Sequence, residues 1–105
     1  MVSDLQVVDR LVERIINLVH PLKIILFGSY ATGEQLADSD IDVLVVMPEG
    51  VHRRATAQFL YRKIRGIGVP FDIIVATTED LKKYRDNIGL IYRDILNKGR
   101  EVYVA

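Results

Sequence analysis

Cysteine and tryptophan are absent from the 105-residue chain, and proline occurs only three times. Without cysteine there is neither a disulfide framework nor a thiolate metal site. No apolar run approaches the roughly 20 residues that a membrane-spanning helix needs, so no membrane association is expected. The opening "MVSDLQVVDR" lacks a basic region followed by an apolar stretch. No secretory signal is read there, and a cytoplasmic protein is expected. Charge of one sign is missing too: 14 basic and 14 acidic side chains cancel. That balance argues against a basic surface for direct nucleic-acid binding. Internal repeats, low-complexity tracts and linkers are likewise lacking.

What is there is the composition of a globular protein, 50% apolar and 27% charged, long enough for one domain over residues 1–105. Ser3 and Gln6 form a capping-box pattern, with Val2 able to staple onto Val7. Leu5, Val8, Leu11, Val12, Ile15, Ile16 and Val19 then recur at helical spacing, predicting a helix over 4–19 that stops at His20-Pro21. "KIILFG" (23–28) and "IDVLVV" (41–46) read as buried strands. Residues 51–65 read as a helix with Val51, Ala55, Phe59 and Leu60 on one face. "VPFDIIVAT" (69–77) reads as a third strand opened by proline. Thr77 or Thr78 can cap a helix beginning "EDLKKY". Ile88, Ile91, Tyr92, Ile95 and Leu96 give a further helical stripe, with Gly99 in the position of a C′ glycine. "EVYV" (101–104) is a short last strand.

The order predicts an α+β fold, a small mixed β-sheet with helices packed against it. Strand two, helix and strand three form a βαβ unit with parallel strands. The short connection between strands one and two favours antiparallel neighbours. Gly28-Ser29 then falls beside the starts of the strands that carry Asp40, Asp42 and Asp72.

Side chains alternate along a strand, so Asp40 and Asp42 share a face, and Asp72 joins them if its strand is an in-register neighbour. Carboxylates so crowded call for cations, and hard Mg²⁺ or Mn²⁺ suit oxygen ligands. Three aspartates holding two cations is an arrangement for phosphoryl-type displacement. Blander readings exist: an Asp-x-Asp at a strand start is commonly a turn or cap device, and an acid such as Asp72 is commonly paired with arginine or backbone amides. Asp38, Asp40, Asp42 and Glu49 also match EF-hand ligand positions, but Val43 stands where that loop needs glycine. "GSYATG" opens like a phosphate-binding P-loop, yet Glu34 and Gln35 replace its lysine and hydroxyl residue.

Gly28-Ser29, ten residues, then Asp40-Ile41-Asp42 gives G-S-x₁₀-D-x-D. This pattern resembles that of the DNA polymerase β-like nucleotidyltransferases, and "GSYATGEQLADSDIDVLVV" is similar to their minimal, MNT-type branch, often antitoxin partners of HEPN-domain toxins. The resemblance implies the polymerase β-like palm as the fold. It implies a nucleotide triphosphate, ATP, held at Gly28, Ser29, Thr32, Gly33 and Ser39. Two Mg²⁺ ions would sit on Asp40, Asp42 and Asp72, with Asp72 helping to activate the attacking hydroxyl. The implied acceptor is a tyrosine of a HEPN toxin, which AMP transfer would silence, within a homo- or hetero-oligomer. One departure is plain: where many members have arginine in G-S-x-A-R-G, this chain has Thr32, losing a phosphate-facing cation. An arginine from elsewhere, Arg53 or Arg54 after strand two, is a candidate substitute that the sequence alone does not establish. Two other readings stay open, an antitoxin acting by binding alone and a transferase for an aminoglycoside-like small molecule.

Overall fold

The computed structural model describes residues 4–85 and 90–105. The first helix, α1 (Asp4–Val19), buries Val7, Val8, Leu11, Val12 and Ile15, with Leu11 and Ile15 wholly enclosed. Leu5 stands at the margin of that stripe in the first turn and is 71% exposed, contrary to the sequence expectation; Val7 takes its place. The helix ends at His20, whose φ of 50° is the left-handed turn that glycine usually supplies. Its N–H still donates to the Ile16 carbonyl at 3.1 Å. The expected capping box at Ser3 and staple at Val2 lie outside the described residues.

Strands β1 (Lys23–Phe27), β2 (Ile41–Met47), β3 (Phe71–Thr77) and β4 (Arg100–Val104) form one sheet in the order β3-β2-β1-β4. β1 runs antiparallel to both β2 and β4, and β2 runs parallel to β3. The mixed sheet and its pairing are as the connections require. A four-residue helix, α2 (Ser29–Thr32), follows β1. The crossover helix α3 (Arg53–Lys63) starts later than the sequence suggests, because His52 is its cap: its Nδ1 accepts from the Ala55 N–H at 3.0 Å. Ala55 is accordingly exposed, and Leu60 carries the buried face.

Thr77 caps α4 (Thr78–Arg85) reciprocally with Asp80. The Asp80 N–H donates to Thr77 Oγ1 at 3.2 Å, and the Thr77 N–H donates back to Asp80 Oδ2 at 2.9 Å. The last helix is α5 (Leu90–Lys98), in which Ile95 is buried and Leu96 is 40% exposed. Ile88 and the side chains of Ile91 and Tyr92 lie outside the described residues.

The two faces of the sheet are covered unequally. Ile24, Leu26, Ile41, Val43, Val45, Ile73 and Val75 pack with α1 and α3 into the main core. On the other face Ile25, Leu44, Val46 and Ala76 meet Ile95, with Phe27, Ile74 and Leu81 partly buried around them. Alternation along β2 and β3 assigns Asp42 and Asp72 to this second face. The thinly covered face is therefore where acids can sit without full desolvation. Among the described residues no helix is long and apolar enough to cross a membrane.

Candidate active site

One row of residues crosses the sheet at the site. Phe27 of β1 is the register partner of Asp42 of β2, which is in turn the partner of Asp72 of β3. Asp42 is half-buried, Asp72 is exposed on the edge strand, and exposed Asp40 lies two residues before Asp42. The backbone entering this corner is held by the Ile41 N–H, which donates to the Pro70 carbonyl at 2.9 Å.

Burial raises the pKa of Asp42 above its ordinary value, and the charges of Asp72 and then Asp40 raise it further. Asp72, its partner across the strand pair, and Asp40 thus both act on Asp42. The three carboxylates are not drawn into a closed ligand set: among the described residues no group of three or more His, Cys, Asp or Glu side chains is gathered tightly enough to grip a metal ion. As a donor set the three aspartates are hard oxygen ligands, and their mutual repulsion is what a divalent cation relieves.

Gly28 ends β1 with φ 72° and ψ −154°, a conformation closed to side chains with a Cβ. A Cβ there would also overlap Asp42 Oδ2. Two independent constraints, torsional and steric, therefore demand glycine beside the carboxylate. The chain then folds tightly over α2. Gly28 carbonyl accepts from the N–H groups of Ala31 and Thr32 at 3.1 and 3.3 Å. Ser29 carbonyl accepts from Gly33 and Glu34, the latter at 3.0 Å. The Thr32 hydroxyl donates to that same carbonyl at 3.3 Å, so it is turned into its own turn. Ser39 Oγ accepts from the Leu36 N–H at 2.8 Å and closes the loop that leads to Asp40.

An open cleft of about 580 Å³ lies against this loop. Gly28, Ser29, Thr32 and Ser39 line it together with Phe27, Glu34, Leu36, Asp94, Ile95 and Lys98. Gly33 faces elsewhere, into a smaller groove of about 290 Å³ between α1 and the start of β4. None of the three aspartates lines this cleft; Gly28 does, and it abuts Asp42. Tyr30 is buried in the main core and packs there. Arg53 pairs with Asp80 at 3.3 Å, beyond the C-terminal ends of β2 and β3. A seven-residue strand is roughly 20 Å long, so neither Arg53 nor Arg54 is the substitute cation at the acidic end.

Sequence reasoning missed Lys98, Glu34, Leu36 and Asp94. No local spacing ties residue 98 to residues 28–39; only the antiparallel pairing of β4 with β1 brings the end of α5 to Gly28.

Comparisons with known proteins agree with this geometry. The chain matches the nucleotidyltransferase domain family over residues 8–102. It is 36% identical over 81 residues to a protein of Methanocaldococcus jannaschii described as a "putative protein adenylyltransferase", covering 77% of each chain. Its fold is that of a nucleotidyltransferase-like structure from Sulfolobus solfataricus (TM-score 0.61, 23% identity, 95% of this chain and 79% of that one). It is also that of a chain in a toxin–antitoxin structure with AMP-PNP (TM-score 0.63, 20% identity, 92% of this chain and 73% of that one). By its match along nearly all its length and its identity to that archaeal relative, the chain belongs to the nucleotidyltransferase domain family.

Proposed function

We propose that this protein is an MNT-type antitoxin that transfers AMP from ATP to a hydroxyl of a partner toxin, with a HEPN-domain tyrosine as the acceptor. The observation that carries the reading is the row Phe27–Asp42–Asp72, with Asp40 beside it and Gly28 pressed against Asp42 at the mouth of a cleft. The archaeal relative described as a protein adenylyltransferase and the toxin–antitoxin fold neighbour support the choice of acceptor class.

Asp40, Asp42 and Asp72 would hold two Mg²⁺ ions. These would supply charge neutralisation of the triphosphate and acidification of the acceptor hydroxyl. Gly28 and Ser29 let the backbone approach the phosphates, and Thr32 and Ser39 shape the wall around them. In the transfer, the acceptor oxygen forms a bond to the α-phosphorus. The bond from that phosphorus to the oxygen bridging to the β-phosphate breaks, and pyrophosphate leaves. The hydroxyl proton passes to a carboxylate, for which Asp72, exposed at the outer end of the row, is the candidate.

The test is incubation of the purified protein with its toxin, Mg²⁺ and ATP labelled at the α-phosphate. Label on the toxin, lost with Asp42→Asn, is expected. A second reading, neutralisation by binding alone, draws on Thr32, whose hydroxyl is spent within its own turn and brings no charge to the cleft. Toxin silenced without label would establish that reading instead.

A further inference from the structure

We propose that Lys98 is the phosphate-binding cation of the cleft, holding the β- and γ-phosphates of the triphosphate; this rests on the nucleotidyl-transfer reading above. Lys98, in the last turn of α5, lines the cleft together with Gly28, Ser29 and Thr32. It is the one cationic side chain among the described residues of that wall.

Among the described residues its charge has no ion-pair partner. The ion pairs among the described residues are Lys23 with Glu101 and Arg53 with Asp80. Asp94, four residues earlier on α5 and in the same wall, has the spacing for a helical ion pair with Lys98, yet none forms.

Its position is fixed by Gly99. The Gly99 N–H donates to the Ile95 carbonyl at 2.8 Å, ending the helix. This glycine does not take the left-handed conformation expected of a C′ residue. It is needed for space instead: a Cβ would overlap the Ile95 carbonyl and crowd Ile25 Cγ2 at 2.5 Å and the Leu26 carbonyl at 3.1 Å. The end of α5 is thus clamped onto β1 just before Gly28, with Lys98 at the rim.

The electrostatic demand is clear. A triphosphate entering beside Gly28 meets Asp42, which abuts that glycine and has Asp72 as its strand partner, and then Glu34 and Asp94 in the wall. Divalent cations answer the first group. The part of the triphosphate that reaches into the cleft needs a cation supplied by the protein itself, and a lysine ammonium, a compact point charge on a flexible stem, suits it.

The test is equilibrium binding of ATP, ADP and AMP, with Mg²⁺, to the whole chain and to its Lys98→Met and Lys98→Arg variants. Lys98 is exposed, so thermal melts of the variants should match the parent. Lys98→Met is expected to weaken ATP about tenfold, the scale of one charge-assisted hydrogen bond. AMP should stay within about twofold, and Lys98→Arg should restore most of the ATP affinity. Equal weakening of all three nucleotides, or unchanged ATP affinity, would overturn the assignment while leaving the transfer reading intact. A parent protein that binds none of the three would overturn both.

Discussion

Gly28 and Asp42 are packed so closely that the missing side chain of one is a condition for the position of the other. Gly28→Ala therefore meets two penalties, a backbone with φ 72° that alanine resists and a methyl group directed at Asp42 Oδ2. The torsional part alone should cost about 1–3 kcal/mol, read as a lower urea midpoint. Removing the steric part with Gly28→Ala/Asp42→Ala should recover only a fraction. Toxin labelling by Gly28→Ala should fall to background; full labelling would show that the close approach is dispensable.

Asp42 gives a pH dependence of definite sign. Burial first, then Asp72 and Asp40, raises its folded-state pKa. A raised carboxyl stabilises the fold below the ordinary carboxylate range, and that contribution is lost as pH rises through the raised value. Ionised Asp42 is thus a cost at neutral pH. Asp42→Asn should stabilise the protein at pH 7, read as a higher urea midpoint, with the gain vanishing in acid. A lower midpoint at pH 7 would mean that the carboxylate is held by something other than its repulsive neighbours.

Divalent cations should reverse that cost in the parent. If Asp40, Asp42 and Asp72 close around Mg²⁺ or Mn²⁺, cation at ten times its Kd should add about 1.4 kcal/mol of stability. Asp42→Asn and Asp72→Asn should lose most of this response. A midpoint indifferent to Mn²⁺ would separate the acids from any metal role.

Much of this corner was legible in the sequence for a simple reason: strand alternation and a βαβ connection are local rules. They put Asp40 and Asp42 on one face and make β2 and β3 parallel, while the register that brings Asp72 level with Asp42 is fixed by neither rule and is seen only in the paired strands. The glycine before Ser29 is equally local. What escaped depends on contacts distant in sequence. Lys98 reaches the cleft only because β4 doubles back on β1, and Gly99, whose place at a helix end suggests a left-handed cap, is dictated by the Ile25 side chain 74 positions away. Leu5 has the periodicity of a core residue, yet periodicity does not reveal whether anything covers the first turn.

Tyr61 shows the same limit and gives the most specific prediction. Nothing in "VHRRATAQFLYRKIR" marks it, yet the Ile73 N–H donates to its hydroxyl at 2.7 Å and its ring stacks on Phe71 with centroids 5.8 Å apart. Phe71 and Ile73 flank Asp72 on the edge strand, so one α3 side chain holds the backbone after the acid and the ring before it. Tyr61→Phe keeps the ring and deletes the acceptor, which should cost about 1 kcal/mol. The Ile73 amide should exchange with solvent faster, while amides of Leu44 and Val45 in the central strand change little. Tyr61→Ala removes the stack as well and should loosen Asp72 further, lowering toxin labelling more than its loss of global stability accounts for. Should Tyr61→Phe leave Ile73 exchange untouched, the hydroxyl would not be holding β3, and Asp72 would owe its place to the pairing with β2 alone.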